Sequence, residues 1–447
     1  MEAWLIWGIV GIIALVILIP YFLQFRKRQQ EAITKKREAD ALGITRPRAQ
    51  FPFINQSLCI GCGSCVLACP ENVLDVVWGK AAVVNGVRCV GHGHCEKICP
   101  VGAIEVGLGD IKQRDDIPVL DEHYQTTVPG IYIVGELSGL ALIKNAIQQG
   151  RKAMEHIVEE IKQHPTPENM LDVLIVGAGP AGTSAALVAT QNNLNYLIID
   201  AQDLGGTILQ YPRRKLVMTE PVDIPLYGKL NRHEIEKEEL LEIWQSIYRD
   251  FHLRLHRQER VVDVQKVGNW FTVKTTAKEY LTRFVVLAMG RRGNPRKLGV
   301  PGEQQAKVMY QLIDAQSYTH SNILVVGGGD SAVEAAIGLA RQKGNRVTIS
   351  YRKPQFFRIK QKNQERIGKL IQKGRITARF NSHVREIKAK SVVLEQDGKR
   401  IEIDNDYVFI FIGGEPPFGF LRKIGVKFGT DMATTPSTAN VQNPIAR

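Results

Sequence analysis

Two glycine-rich turns, 150 residues apart, constrain the fold of this chain more than any other feature. Each turn follows an apolar strand and opens a helix of small residues: LDVLIVGAGPAGTSAALVA in the first case and NILVVGGGDSAVEAAIGLA in the second. The glycines are Gly177, Gly179 and Gly182 in the first turn, and Gly327 and Gly329 in the second, where Ala332 takes the third place. The first glycine makes the tight bend, the second lets the backbone approach a pyrophosphate, and the third allows close packing of helix on strand. The pattern predicts an α/β fold with two Rossmann-like dinucleotide-binding domains.

The residues that follow each turn indicate which nucleotide binds there. The strand YLIID after the first turn ends at Asp200, the usual position for a ribose ligand. The strand after the second turn runs instead into Arg352 and Lys353, with Arg358 beyond them. Cations there suit the 2′-phosphate of NADP(H), whereas a basic solvated helix is the alternative interpretation. We therefore predict FAD at the first turn and NADP(H) at the second, where Asp330 and Ser331 open the helix and join the predicted contacts.

All seven cysteines lie between Cys59 and Cys99. The first four, in CIGCGSCVLACP, have the spacing C-x2-C-x2-C-x3-C and precede a proline, which is a bacterial iron–sulfur run. A shift of 30 residues lays 89–106 on 59–76, so CVGHGHCEKICP is a second copy. In that register His92 replaces Cys62, while His94 falls on Ser64, which is not a ligand position.

Residues 51–108 resemble a two-cluster bacterial ferredoxin, a small α+β domain. In that family the fourth cysteine of each run ligates the other cluster. The resemblance implies one [4Fe-4S] cluster on Cys59, Cys62, Cys65 and Cys99, and a second cluster on Cys69, Cys89 and Cys95 with His92 as candidate fourth ligand. A zinc site is the alternative, although two interlocked runs of this kind are not typical zinc spacing.

His92 has three interpretations. Its imidazole ligates the fourth iron, or the site holds a three-iron [3Fe-4S] cluster, or His92 lies in a solvated loop beside a lost cluster. A neutral imidazole in place of a thiolate removes one negative charge, which raises a cluster's potential.

The N-terminal segment is apolar. The 22 residues from Trp4 to Phe25 carry no charge and would span about 33 Å as a helix, so we predict a transmembrane anchor over 1–25. Residues 26–50 form a predicted basic linker, which places the remainder on the cytoplasmic side of the cell (inner) membrane. A cleaved signal peptide is the alternative, but it would need a basic start and a small-residue cleavage site. Although the net charge is +13, no aromatic-interleaved basic motif is present, so we predict no nucleic-acid binding.

Residues 112–428 resemble the thioredoxin-reductase-like flavoproteins, in particular their bacillithiol-disulfide-reductase branch. The matching pieces are GAGPAG, LGGTILQYP, VVLAMG, GVPGE, VVGGGDSAVEAA and YVFIFIGGEPP. The resemblance implies an FAD-binding domain over 171–293, with Gly206 and Thr207 among its contacts, and an NAD(P)-binding domain over 294–415. Residues 416–447 are predicted to be a C-terminal tail.

One piece of that family stands out of order. Its closing FAD motif is C-terminal in the family, but here QTTVPGIYIVGELSGLALIKNAIQQGRKAMEHI precedes the first glycine-rich turn. Gly135 and Glu136 fall on the FAD-binding positions, with Glu136 where the family has Asp. We predict that 110–163 completes the FAD domain through a circular permutation. A duplicated fragment with a truncated end is the alternative.

The positions of the cysteines in the chain guide the functional prediction. The family's disulfide reductases use a redox cysteine pair, but the nicotinamide domain here has no Cys, and Ala181 stands where the bacillithiol branch has one. We therefore predict a membrane-anchored NAD(P)H-dependent iron–sulfur flavoprotein oxidoreductase without catalytic acid–base residues. Its predicted partner is a redox carrier, namely a ferredoxin, a flavodoxin or a membrane component, and self-association as a homodimer is left open. A thiol/disulfide reductase and a redox-sensing subunit are the alternatives.

Overall fold

The computed structural model describes residues 2–41, 51–107, 115–139, 142–218, 221–232, 234–291, 293–357 and 359–433. The chain divides into two compact units, Met1–Gly109 and Asp110–Arg447. The predicted residue Arg358 and the last 14 residues, 434–447, lie outside the described residues.

The first unit is a long helix followed by a small α+β module. Its elements are α1 (Glu2–Ala41), β1 (Phe51–Ile54), α2 (Ser64–Ala68), β2 (Leu74–Val77), β3 (Lys80–Val83), α3 (His94–Lys97) and β4 (Ile104–Gly107). Strand β1 pairs antiparallel with β4, and β2 pairs antiparallel with β3. The two short helices begin after left-handed glycines, Gly63 (φ 77°) and Gly93 (φ 72°), so the 30-residue sequence repeat is also a repeat of local structure.

The second half of helix α1 covers the stretch that was predicted to be a basic linker. Its second half packs on the β2–β3 hairpin, where Ala32 is buried against Val77 and Val84. The Gln29 side chain donates to the Val76 carbonyl at 3.2 Å and accepts from the Trp78 N–H at 3.2 Å. The stretch predicted as a basic linker is thus helical as far as Ala41 and is docked on the module.

Apolar side chains of α1 that the structure describes, from Trp7 to Phe25, are exposed. In the described part of the chain, however, no helix combines the length and apolarity needed to cross a membrane. The predicted transmembrane anchor is therefore not supported.

The second unit begins with a seven-stranded sheet and its helices. These elements are β5 (Ile131–Ile133), α4 (Ile143–Gln163), β6 (Leu171–Val176), α5 (Pro180–Gln191), β7 (Tyr196–Ile199), β8 (Leu216–Met218), β9 (Val222–Ile224), β10 (Gly228–Leu230), β11 (Glu234–Glu236), α6 (Lys237–Asp250), β12 (Leu255–His256), β13 (Val261–Val267), β14 (Trp270–Thr275) and β15 (Glu279–Leu287). The sheet order is β12-β7-β6-β15-β14-β13, with β5 also paired to β15. Strands β5, β6, β7, β12 and β15 are parallel, as the α/β prediction requires.

A second parallel sheet follows. The remaining elements are β16 (Asn294–Pro295), β17 (Val308–Met309), β18 (Asn322–Val326), α7 (Asp330–Ala340), β19 (Arg346–Ser350), α8 (Gln361–Gln372), β20 (Ile376–Arg379), β21 (Ser382–Ile387), β22 (Ser391–Gln396), β23 (Lys399–Asp404), β24 (Tyr407–Ile410), β25 (Gly414–Glu415), α9 (Phe418–Lys423) and α10 (Gly429–Ala433). The five parallel strands have the order β17-β24-β18-β19-β20, and β21, β22 and β23 form an antiparallel sheet.

Two segments from opposite ends of this unit complete the first sheet's core. Strand β5 precedes the first glycine-rich turn in the chain but lies beside β15 in the sheet, with Ile131 opposite Val285. From the other end, Leu421 and Phe428 are fully buried in the same core. The prediction of a tail from residue 416 onward is therefore wrong for 418–433, because these residues form two helices and supply core side chains.

Candidate cofactor-binding sites

The first glycine-rich turn has the geometry that a dinucleotide requires. Gly177 has φ +113°, and a Cβ there would lie 2.5 Å from the Ala288 carbonyl oxygen. A Cβ on Gly182 would lie 1.9 Å from the Gly177 oxygen, so only glycine permits this contact of helix and turn. At Gly179, by contrast, no described atom lies within 4 Å of the Cβ position. The turn thus leaves open space at the N-terminus of α5, where a pyrophosphate would meet backbone N–H groups.

Asp200 is tied to this turn by its side chain. Its Oδ2 accepts from the Ala178 N–H at 2.7 Å, and its Oδ1 accepts from the Gln202 N–H at 2.7 Å. Burial raises the pKa of Asp200 above its ordinary value. The carboxylate therefore shapes the turn, and its contact with a ribose stays a prediction.

The loop with Gly206 and Thr207 lies against the same turn. The Gly205 N–H donates to the Ala178 carbonyl at 2.9 Å, and a Cβ on Gly206 would lie 3.1 Å from the Gly179 Cα. Thr207 Oγ1 lies 3.8 Å from the Cβ position of Gly290. Three segments that are distant in sequence therefore meet around the open space beside Gly179.

The out-of-order segment also reaches this site. Gly135 has φ +80°, and a Cβ there would lie 3.2 Å from the Cβ of Ala181 on α5. Glu136 is exposed although its neighbours are buried. The structure thus places Gly135 beside the first glycine-rich helix, as the closing-motif prediction requires.

Gln149 is a residue of this site that sequence reasoning missed. It is 1% exposed, and its Oε1 accepts from the Gly135 N–H at 2.8 Å and from the Ser138 hydroxyl at 2.9 Å. Its Nε2 is buried without a hydrogen-bond partner among the described residues. A glutamine on the apolar face of a helix was the signal available in the sequence.

The second glycine-rich turn repeats the steric pattern of the first. Gly327 has φ +140°, and a Cβ there would lie 2.3 Å from the Phe411 oxygen, while the Cβ position of Gly329 is open. Asp330 Oδ1 accepts from the Lys360 N–H at 2.9 Å and from Asn363 Nδ2 at 2.7 Å. Asp330 thus links α7 to α8, and its neighbour Ser331 is exposed at the start of α7.

Arg352 and Lys353, which follow β19 closely in the chain, have exposed side chains. Neither Arg352 nor Lys353 forms an ion pair within the described residues. Tyr351, just before them, is buried with its ring over the turn, so a Cβ on Gly328 would lie 2.3 Å from it. This arrangement leaves two positive charges available beside the second turn.

The four cysteines predicted to hold the first cluster lie around one cleft, and their ligation of a cluster stays a prediction. This cleft is lined by Cys59, Cys62, Cys65 and Cys99. Backbone N–H groups point at two of these sulfurs, because Ala81 donates to Cys59 Sγ at 3.3 Å and Ala103 donates to Cys99 Sγ at 3.2 Å. Thiols and aimed N–H groups around one cleft fit an iron–sulfur cluster.

The thiols of this site differ in environment. Burial raises the pKa of Cys65 to about 11, with a further rise from the neighbouring Cys59 and Cys62 sulfurs. Cys62 is exposed, and the Ser64 hydroxyl, 3.5 Å from its sulfur, lowers the pKa of that thiol. The site therefore has one buried and one exposed side.

The three cysteines of the second predicted site, Cys69, Cys89 and Cys95, pack against one hydrophobic cluster of the first unit. Burial raises the pKa of Cys95 to about 11, and the charge of Cys69 raises it further, as does that of Cys89. His92 and His94 stack with ring centroids 5.4 Å apart. Within the described residues, no group of three or more His, Cys, Asp or Glu side chains is placed to hold a single metal ion. Ligation by His92 stays a prediction.

Comparison with known proteins finds one family for the nucleotide-binding part and another for the cysteine-rich part. The family described as pyridine nucleotide-disulphide oxidoreductase matches residues 174–442, and the 4Fe-4S dicluster domain matches residues 58–103. Ferredoxin–NADP reductase of Ignicoccus hospitalis is 32% identical over 265 residues, which are 58% of this chain and 82% of that protein. Bacilliredoxin reductase Bdr of Bacillus subtilis is 30% identical over 260 residues, 57% of this chain and 80% of that protein.

A solved structure is similar as well. Bacillithiol disulfide reductase Bdr from Staphylococcus aureus has a TM-score of 0.53 and 28% identity, covering 58% of this chain and 81% of that one. The α/β dinucleotide-binding fold is thus confirmed by sequence and by structure. The chain belongs to the pyridine nucleotide-disulphide oxidoreductase family, and it is an FAD-dependent NAD(P)H oxidoreductase that carries a 4Fe-4S dicluster domain.

Proposed function

We propose that this protein passes electrons from NADPH through FAD to two iron–sulfur clusters, and from them to a redox carrier protein. The observation that carries the proposal is the placement of the thiols. Cys59, Cys62, Cys65 and Cys99 share one cleft, whereas the first glycine-rich helix has Ala181 where a thiol would face the nucleotide.

The chain's own residues bind and orient the cofactors. FAD held there would supply the exchange between two-electron hydride chemistry with the nicotinamide and one-electron chemistry with the clusters. The turn at Gly177–Gly182 would hold the FAD pyrophosphate, and Gly135 and Thr207 border the same space. The turn at Gly327 and Gly329 would hold the nicotinamide nucleotide, and Arg352 and Lys353 would bind its 2′-phosphate.

The ligand sets are part of this proposal. Cys59, Cys62, Cys65 and Cys99 hold one cluster, and Cys69, Cys89, Cys95 and His92 hold the other. The resemblance to two-cluster ferredoxins implies the interlocked ligation, and the shared cleft around the first set supports it.

We further propose that the order of the flavoprotein segments arose by circular permutation. Support comes from β5, which lies in the sheet beside β15 although it precedes the first glycine-rich turn. Further support comes from Leu421 and Phe428, near the other end of the chain, which are buried in the core of the same sheet. Glu136 takes the position of the family's Asp and would contact the FAD there.

A ferredoxin-like acidic carrier is the proposed partner. The net charge of +13 favours association with an acidic protein, and a similar protein is named ferredoxin–NADP reductase. The predicted location at the inner membrane and the oligomeric state rest on sequence alone and stay predictions.

A steady-state assay with paired acceptors tests this function. Purified holoprotein with NADPH should reduce ferredoxin or flavodoxin and leave bacillithiol disulfide and other small disulfides unreduced. Turnover on a disulfide with none on the carriers would favour the second candidate, a thiol/disulfide reductase, which the similarity to bacilliredoxin reductase supports.

A further inference from the structure

Helix α4 lies close against α5, the helix that opens at the first glycine-rich turn. A Cβ on Gly150 of α4 would lie 2.1 Å from the Ala181 carbonyl oxygen, so only glycine allows this approach. The buried Ser184 hydroxyl of α5 donates to the Ile147 carbonyl of α4 at 2.8 Å. Gln149 lies between these two contacts in the sequence of α4, and it is therefore held beside the predicted FAD site.

The side chain of Gln149 holds both ends of a short turn, Gly135–Ser138, in the out-of-order segment. Its Oε1 accepts from the Gly135 N–H at 2.8 Å and lies 2.9 Å from the Ser138 hydroxyl. Because a backbone N–H only donates, the oxygen of the amide must face Gly135, which fixes the orientation of the amide. The exposed residue of this turn is Glu136, a predicted FAD contact.

Water does not have access to these hydrogen bonds. Gln149 is 1% exposed and Ser138 is 3% exposed, so no solvent molecule can take the place of the amide oxygen. A side chain without an acceptor at this position would leave the Gly135 N–H buried and unpaired, which destabilises the conformation of the turn.

The nitrogen of the same amide shows which property of glutamine the site uses. Gln149 Nε2 is buried without a hydrogen-bond partner among the described residues, which costs free energy. A glutamate would accept the same two hydrogen bonds without this unpaired donor, but its ionised form would place a negative charge in the site of an anionic pyrophosphate. An amide supplies the acceptor without the charge.

We propose that Gln149 is a positioning residue for FAD. Its amide oxygen holds the Gly135–Ser138 turn in the conformation that binds the cofactor, and it does so without adding a negative charge. The inference depends on FAD binding at the first glycine-rich turn, and it holds whether or not the clusters relay electrons.

The variant Gln149→Met tests the proposal in the full-length holoprotein, because methionine has a similar length and no acceptor oxygen. Dilution of the holoprotein, with released FAD measured by its fluorescence, gives the dissociation constant. We expect this constant to rise at least about tenfold, or about 1.4 kcal/mol. We also expect the visible circular dichroism of the flavin still bound to change, because the flavin is held differently.

Gln148→Met is the matched control, since Gln148 is the exposed neighbour of Gln149 on α4. It should change neither the dissociation constant nor the spectrum. A purely structural role for Gln149 would lower the stability of Gln149→Met and leave both readouts at their wild-type values. That result would overturn the proposal, as would equal losses of FAD in the two variants.

If Gln149→Met does not fold, Gln149→Glu decides the matter, because a carboxylate keeps an acceptor oxygen at the same distance along the side chain. The flavin bound to this variant should have the wild-type circular dichroism. A protein purified without flavin, or one whose bound flavin has an altered spectrum, would overturn the proposal.

Gly179→Ala separates failure of this proposal from failure of the FAD site itself, because the open Cβ position of Gly179 lies at the first glycine-rich turn. If Gly179→Ala weakens FAD binding and Gln149→Met does not, the positioning role alone is wrong. If neither variant weakens it, the assignment of FAD to this turn is wrong as well.

Discussion

Lys215 Nζ lies 2.9 Å from Glu334 Oε2 and joins the two nucleotide-binding parts of the second unit. Lys215 precedes β8 in the FAD-binding part, and Glu334 lies on α7, the helix that follows the second glycine-rich turn. The two side chains are 25% and 29% exposed, so water screens this ion pair less than a surface pair. Glu334 Oε1 also accepts from Asn363 Nδ2 at 3.0 Å. The pair therefore holds the two parts in the arrangement seen here.

We expect Lys215→Met to lower the free energy of unfolding by about 1 kcal/mol and to change the rate at which NADPH reduces the flavin. The reason is that Glu334 loses its cation and the two parts lose a fixed contact. Urea denaturation and stopped-flow reduction measure the two effects. Lys274→Met is the control, since its pair with Glu279 is 3.8 Å long and largely exposed, and an equal effect in both variants would contradict the prediction.

Gly179→Ala should fold normally and bind FAD at least about tenfold more weakly, or about 1.4 kcal/mol. The Cβ position of Gly179 meets no described atom, so the methyl group has room in the protein itself. A pyrophosphate approaching the turn would meet that methyl group. Flavin content and FAD titration of the apoprotein measure the loss.

Gly368→Ala is the matched control for Gly179→Ala, because its Cβ position on α8 is also open and lies far along the chain from the first turn. Its flavin content should equal that of the wild type. Normal FAD affinity in Gly179→Ala would show that the pyrophosphate does not occupy the space beside this glycine.

Arg352→Gln combined with Lys353→Gln should raise the KM for NADPH about tenfold or more and leave that for NADH unchanged. Both residues carry exposed charges beside the second turn, and a 2′-phosphate is the only group that distinguishes the two nucleotides. Initial rates with an artificial acceptor measure both constants. Lys343→Gln, an exposed lysine before β19, should change neither constant, and equal rises for NADPH and NADH in the double variant would refute the assignment.

His92→Cys should alter the EPR spectrum of one cluster and lower its potential, because a thiolate adds a negative charge. His94→Ala should leave the spectrum unchanged, since the repeat gives His94 no ligand position. A His92→Cys spectrum identical to the wild type would reject ligation by His92.

Steric and spacing rules made the nucleotide turns predictable from sequence. Gly177 and Gly182 occupy positions where a Cβ would collide with backbone, and the cysteine spacing anticipated the shared cleft of Cys59 and Cys99. Such local rules need only a few neighbouring residues.

Residues whose role depends on a distant partner were not predictable. Gln149 accepts a hydrogen bond from Gly135, but it has no motif of its own. The predictions of a C-terminal tail and of an N-terminal linker were wrong for the same reason, because both segments pack on residues that are distant in the sequence. Phe428 packs in a core that also contains Ile131 and Val285, and α1 docks on a hairpin through Gln29.

Anaerobic titration of the holoprotein with NADPH, followed by absorbance and EPR, tests electron transfer from the nucleotide to the clusters most directly. The account predicts that flavin absorbance and cluster absorbance both bleach and that a reduced-cluster EPR signal develops with them. Bleaching of the flavin alone, with the clusters still oxidised yet reducible by dithionite, would contradict it.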